Sequence, residues 1–227
     1  MTLFVRTDST FTVPDLPQID TEYVPHIDGA VMDFTASGLD LGPLDAWRSS
    51  ISSHSMTVPG GAPQVVQHLG QRAVYTNGVD DVLRLDYTGY PHTTVTVHRY
   101  VNPQPGDAIW RAINNNEGYF NITGPGGNQQ GSIGGTGSTM SPAVAPDTDW
   151  HILVTVVNGP ESFVNLDGTY RSINGTDVPW RGYMLGTSVN SPYRSEAMYR
   201  RFTIIPEAIT PVQAAGIVSS VRFAYGI

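Results

Sequence analysis

Thr93-Thr94-Val95-Thr96-Val97-His98-Arg99-Tyr100 is the stretch that decides the fold. Val95 and Val97 point one way, and Thr94, Thr96, His98 and Tyr100 point the other. A period of two marks a β-strand with one apolar and one polar face. The β-branched residues that fill it pack well on a pleated surface. The pattern predicts a half-buried strand with His98 on its polar side, where the ring can touch a ligand or stand as an ordinary half-exposed residue.

Similar short runs lie on both sides. Residues 31–34, 72–75 and 82–85 precede it. Residues 108–113, 119–123, 151–157, 162–166, 183–186 and 198–205 follow. Gly, Pro and Asn divide them, and the chain holds 24 Gly and 17 Pro. Many short strands parted by turn residues predict an all-β sandwich or barrel. The Gly-rich stretch 124–139 reads as a loop or loose hairpin, not a domain boundary.

One helix is expected at the end. Thr210-Pro211-Val212-Gln213 is a capping box with proline at the first helical position. Ala214, Ile217, Val218 and Val221 then recur at helical spacing, and Gly226 can close the helix in the left-handed conformation. At the other end, Pro14, Pro17 and Pro25 interrupt residues 1–28, which carry few periodic apolar positions. That segment reads as an extended arm or a mobile terminus, followed by a single domain over 29–227.

Composition narrows the function. Of 227 residues 40% are apolar and 14% charged, a globular balance. Twenty acidic residues face twelve basic ones, all arginine, for a formal charge of −8. An acidic chain without a basic cluster is not built to bind nucleic acid or to anchor on an anionic membrane. There is no cysteine, so disulfides and thiolate metal sites are excluded. No signal peptide and no membrane-spanning run is visible, which predicts synthesis in a cytoplasm and no membrane insertion.

Four ordered segments resemble the concanavalin A-like/laminin-G-like jelly-roll superfamily. Tyr75-Thr76-Asn77-Gly78-Val79-Asp80-Asp81-Val82-Leu83-Arg84-Leu85 is similar to its "F-x-G-x-D-D-Y-L-x-L" turn and strand. The run through Val101-Asn102-Pro103 resembles its first long strand. Trp150-His151-Ile152-Leu153-Val154-Thr155-Val156-Val157, then Val164-Asn165-Leu166-Asp167-Gly168, resembles a tryptophan-led strand and a "Y-V-D-G" strand. Tyr199-Arg200-Arg201-Phe202-Thr203-Ile204-Ile205, the capped helix and Tyr225-Gly226-Ile227 resemble its closing tail. Val82 stands where an aromatic residue is common, and Gln213 where Glu is frequent. The resemblance implies an all-β sandwich with one C-terminal helix. It also extends to bacteriophage virion proteins, minor tail proteins among them.

No catalytic motif is found. Glucanases of this superfamily use a Glu-x-Asp-x-x-Glu strand. None of Glu22, Glu117, Glu161, Glu196 and Glu207 has an aspartate two positions on. Gly135-Thr136-Gly137-Ser138 is not a nucleophile elbow. Asp80 and Asp81 are weak calcium candidates, since hard cations want several loop oxygens. The preferred reading is a turn in which Asp80 bonds local backbone N–H groups. Asp147-x-Asp149 is read the same way. No cofactor is otherwise expected.

Sugar binding uses aromatic faces beside amides or carboxylates. The ligand candidates are Trp180, Tyr193, Tyr183, Tyr119, Asn115 and His98. Trp180 and Tyr193 rank first because their sequence surroundings are polar; Trp110 and Trp150 are expected in the core. The functional expectation is a non-enzymatic bacteriophage virion surface protein, on tail or capsid. Its arm would join other virion subunits and its jelly roll would meet a host cell-surface glycan. The alternatives are a soluble lectin-like module and, behind it, a glycan hydrolase or lyase.

Overall fold

Among the described residues, alternation in the strands and periodicity at the C-terminus build what the sequence predicts: two antiparallel sheets and one α-helix. A computed structural model describes residues 26–114, 117–123, 128–134, 136–139, 146–177, 179–186 and 195–227. Most of the arm, residues 1–25, lies outside the described residues, as do Asn115 and Tyr193. In chain order the strands begin with β1 (Met32–Thr35), β2 (Gly42–Pro43), β3 (Ala46–Arg48), β4 (Ser55–Gly60), β5 (Gln64–His68) and β6 (Gln71–Asn77). They continue with β7 (Val82–Asp86), β8 (His92–Tyr100), β9 (Ala108–Ala112), β10 (Gly118–Thr123), β11 (Asn128–Ile133) and β12 (Thr136–Thr139). The last are β13 (His151–Val157), β14 (Phe163–Leu166), β15 (Thr169–Ser172), β16 (Gly182–Gly186) and β17 (Glu196–Ile205), before helix α1 (Pro211–Tyr225).

Among the described residues the first sheet has nine strands in the order β15-β14-β13-β8-β17-β6-β5-β2, with β1 also paired to β17. The second has eight, in the order β12-β11-β10-β9-β16-β7-β4-β3. The Gly-rich stretch thus contributes a paired hairpin, β11 and β12.

Two apolar cores follow. Between the sheets lie Phe34, Trp47, Leu83, Trp110, Phe120, Leu153, Tyr183, Tyr199 and Phe202, among others. Between the nine-stranded sheet and α1 lie Val95, Val97, Ile152, Val154, Ile205, Val218, Val221 and Ile27. Strand β8 therefore departs from expectation. It sits between β13 and β17, so Val95 and Val97 go under the helix while the Thr94–His98 face points at the second sheet. Both faces are buried, and His98 is fully enclosed.

The helix forms as the capping box demands. Thr210 Oγ1 accepts from the Gln213 N–H at 3.3 Å, and Gln213 Oε1 accepts from the Thr210 N–H at 2.8 Å. Gly226 closes it at φ 65°, a left-handed conformation cheap only for glycine. The buried stripe is Ala214, Val218, Val221 and Tyr225, with Ile217 partly buried. No helix among the described residues is long and apolar enough to cross a membrane.

Candidate functional site

Two connections that cross between the sheets meet at one end of the sandwich. The loop after β7 carries Tyr87 to Pro91 into β8, and the segment before β16 carries Asp177 to Arg181 back. The Tyr87 N–H donates to the Arg181 carbonyl at 3.3 Å and ties them together. Between them opens a cleft of about 530 Å³ lined by Thr88, Tyr90, Asp177, Pro179, Trp180 and Arg181. Thr88 also borders an adjoining hollow of about 450 Å³ lined by Met32, His54, Asp86, Tyr87 and Gly89.

Tyr90 is the exposed aromatic of this cleft, 41% accessible. Its hydroxyl donates to Asp177 Oδ1. Desolvation and that carboxylate hold the phenol in its protonated, donating form by pushing its pKa to about 12. Asp177 in turn sits against Gly159. A Cβ there would stand 2.1 Å from Asp177 Oδ1, so any larger residue displaces the carboxylate. Arg181 is two-thirds exposed, and its side chain approaches the buried Glu117 at 3.8 Å. Glu117 Oε2 accepts from the Arg181 N–H at 3.0 Å, which sets the loop's height above the sheet.

Beneath lies an aromatic floor. Trp180 packs its ring 5.1 Å from Tyr183, 5.2 Å from His92 and 6.1 Å from Trp110. The His92 Nε2 and the Tyr183 hydroxyl are hydrogen-bonded. Burial drives the His92 pKa down to about 3, so the ring stays neutral and packs as an aromatic. Chemically the cleft offers one aromatic face, a carboxylate acceptor, a guanidinium donor and a hydroxyl. That set meets the axial face and the hydroxyl groups of a sugar.

The structure brings Trp180 and Tyr183 together but turns both inward. Trp180 is 2% exposed and Tyr183 not at all. Trp180 was expected to face solvent because its sequence neighbours are polar. The loop instead folds its indole against Gly118, where a Cβ would lie 3.0 Å from the ring. Tyr183 alternates into the inter-sheet core. His98 is likewise not a surface ring: it is fully buried on the face that points at the second sheet, and burial lowers its pKa to about 3. Tyr119 is half-buried on β10, opposite Arg111 and Ser132. Trp110 is core as expected, whereas Trp150 is only half-buried. Sequence reasoning missed Tyr90, Asp177 and Arg181, and of these Tyr90 left a trace. Its signal was an aromatic within a Gly-Tyr-Pro turn.

The acidic pair divides its roles differently from expectation. Asp81, 2% exposed, accepts from the Ala62 N–H at 2.6 Å and the Asn77 N–H at 2.9 Å. Asp80 is exposed and accepts from the Asn77 side-chain amide at 2.8 Å. The local backbone acceptor is Asn77 Oδ1, which takes the N–H groups of Val79 and Asp80. Asp147 Oδ1 accepts from the Asp149 N–H at 2.7 Å, the turn expected there. Among the described residues no three His, Asp or Glu side chains gather as a metal cage.

No family model and no curated protein matches the chain in sequence. Solved structures do match its fold. Domain 4 of AbnA, a GH43 extracellular arabinanase from Geobacillus stearothermophilus solved in complex with arabinotriose, superposes with a TM-score of 0.64 at 16% identity. The match covers 83% of this chain and 98% of that one. The binding domain of Paraclostridial Mosquitocidal Protein 1 matches with a TM-score of 0.64 at 11% identity, over 85% of this chain and 52% of that one. Trypanosoma rangeli sialidase matches with a TM-score of 0.63 at 13% identity, over 88% of this chain and 34% of that one. The chain thus spans about half of the mosquitocidal binding domain and a third of the sialidase. At these identities the likeness is one of fold, and the fold is the β-sandwich.

Proposed function

We propose that this chain is a non-enzymatic glycan-binding sandwich, carried on a bacteriophage virion surface and joined to other virion subunits through the arm of residues 1–28. The observation that carries the glycan part is the cleft at Tyr90, with Asp177 and Arg181 beside the ring. Support comes from the arabinanase domain, whose whole length this fold matches and which was solved with arabinotriose. The reading needs no cofactor, because the sugar hydroxyls are met by side chains. The non-enzymatic reading is supported by the lining of the cleft: among the described residues Asp177 is its one carboxylate, and the buried Glu117 nearby accepts from the Arg181 N–H. The virion part rests on the sequence resemblance and on the proline-punctuated arm. A soluble lectin-like module would use the same cleft without the arm.

Calorimetry with arabinotriose, alongside a neutral-glycan array, tests the reading. Binding by the full chain that weakens at least tenfold in Tyr90→Ala and in Asp177→Ala is the expected result. A folded protein that binds no glycan on the array, or that binds equally after both substitutions, overturns it.

A further inference from the structure

Strand β17 contains a tandem pair, Arg200-Arg201. A regular strand would send one of the two into the inter-sheet core. A bulge prevents this: Tyr199 pairs with His98 and Arg201 pairs with Val97, so Arg200 is the extra residue. Arg201 goes to Asp33. Arg200 lies across Trp150, its guanidinium carbon 3.9 Å from the ring centre, an attractive cation–π geometry.

A second guanidinium reaches the same place. Arg99 pairs with Met198 on the adjoining strand and alternates with the inward-facing His98 and Tyr100, so it points away from the second sheet. Its Nη1 lies against the imidazole of His68. The His68 carbonyl accepts from Arg200 Nη2 at 3.3 Å, and its Nδ1 accepts from the Trp150 indole N–H at 3.3 Å. Four side chains from β5, β8, β17 and the start of β13 thus converge. Helix α1 rests over β13 and β14, while His68, Arg99 and Trp150 remain half-buried, with edges open to solvent.

The charges here are not neutralised. Among the described residues neither Arg99 nor Arg200 forms an ion pair with a carboxylate. Both Nε–H groups are buried without a hydrogen-bond partner, and Arg200 is 3% exposed. Glu196, on the same strand as Arg200, accepts from the Tyr75 hydroxyl at 2.8 Å. Burial, with Arg99 adding to it, lowers the Arg200 pKa only to about 10, so the Arg200 guanidinium stays charged at neutral pH. Burial and the two arginines lower the pKa of His68, so the ring adds no third charge. Two desolvated like charges with free donors are costly to hold together, and a bound anion offsets that cost.

We propose that Arg99, Arg200, His68 and Trp150 form a second binding site, for the carboxylate of an acidic sugar. The half-buried Arg99 is the guanidinium that meets the carboxylate, while the buried Arg200, stacked on Trp150, adds its charge from behind. The open edge of Trp150 supplies apolar contact for the sugar ring. Gln71, whose Oε1 is buried without a partner, and the half-buried Tyr75 flank it on β6. The site shares no residue with the Tyr90 cleft and does not depend on the reading given to that cleft.

The test uses the full chain titrated with trigalacturonate, its methyl ester and sodium sulfate at matched ionic strength, read by calorimetry and tryptophan fluorescence. Trigalacturonate should bind, change the tryptophan emission, and bind more weakly as salt rises. Arg99→Gln should weaken it at least tenfold. Arg200→Lys, which keeps the charge and loses the planar stack on Trp150, should weaken it several-fold with the circular dichroism spectrum intact. Neutral-glycan binding at the Tyr90 cleft should be untouched by Arg99→Gln. If it is lost together with trigalacturonate, the two sites are one and the proposal falls. Equal binding of the methyl ester, equal binding of sulfate, or no binding by the folded chain also overturns it. If trigalacturonate binds while neutral glycans do not, the cleft reading fails and this one stands.

Discussion

Arg201 and Asp33 form an ion pair that is almost wholly sealed from water: Nη2 donates to Oδ2 at 2.8 Å, with the two side chains 0% and 8% exposed. Asp33 Oδ1 also accepts from Arg201 Nε at 2.8 Å and from the Thr203 hydroxyl at 2.7 Å. The pair locks β1 to β17 in register, Asp33 opposite Thr203 and Thr35 opposite Arg201. Removing one partner of such a pair leaves a buried charge alone, whereas removing both does not. Asp33→Ala should therefore cost about 3–5 kcal/mol in urea unfolding. Asp33→Leu combined with Arg201→Met should recover most of that loss. A single substitution costing under about 1 kcal/mol, the level of an exposed pair, would show that water reaches the site.

Stability should peak near pH 6.5. His92 and His98 are held neutral by burial, each with its pKa lowered to about 3. In the unfolded chain both take up protons below about 6.5, so stability falls with acid by about 1.4 kcal/mol per pH unit for each ring. Asp107, raised to about 6 mainly by burial, binds a proton earlier in the folded state and offsets part of the fall between about 4 and 6. Asp167 is lowered by its contacts with His151 and the Ile152 N–H, against the pull of burial. Its contribution is present above its unfolded pKa and is lost as pH drops through the folded one. On the alkaline side, His151 is raised by Asp167 and Asp147 despite its burial. That contribution is complete below 6.5 and disappears as pH climbs through the raised value. Urea midpoints measured from pH 4.5 to 8.5 should trace a dome, with a shallower acid limb in His98→Leu. A flat acid limb would contradict the burial of both rings.

Most of the fold was legible because its signals are local. The strand at 93–100, the tryptophan-led strand at 151–157 and the capped helix each carry their pattern within their own length. The functional surface was less legible because its determinants are long-range. Polar residues on β8 suggested solvent, yet the opposite sheet covers them, and no pattern within the strand distinguishes the two cases. Trp180 is buried by Gly118, sixty-two positions earlier, so its polar neighbours misled. Two features did have a sequence trace: an aromatic in the Gly89-Tyr90-Pro91 turn, and a tandem arginine in a strand, which alternation alone cannot place.

Asp81 should act as a structural tie and not as a cation ligand. Its two carboxylate oxygens already hold the Ala62 and Asn77 N–H groups, joining the turn before β7 to the segment after β4. Asp81→Ala leaves two backbone donors short of a partner and should cost about 1–3 kcal/mol. Asp80→Ala, which loses one exposed contact to Asn77, should cost under about 0.5 kcal/mol. Thermal midpoints should be the same with calcium and with a chelator. A calcium-dependent rise that Asp81→Ala abolishes would reassign the turn as a metal site.

The helix-side core already includes Ile27, two residues before the sequence boundary at residue 29. Ile27 is 5% exposed and packs into the helix-side core with Ile205, Ile209 and Val221. Its carbonyl accepts from the Ala30 N–H at 3.2 Å in a tight turn. The same residues border a groove of about 420 Å³ between the 26–29 segment and α1. Cutting the chain after residue 25 keeps this plug, and cutting after residue 28 removes it. The first truncation should unfold at the same urea concentration as the full chain. The second should lose on the order of 2–5 kcal/mol, as deletion of a buried isoleucine does, and Ile27→Ala in the full chain should show a loss of the same kind. If residues 1–25 serve attachment, the first truncation stays folded and monomeric but no longer enters its particle. If that truncation unfolds, those residues belong to the core and the attachment role loses its basis.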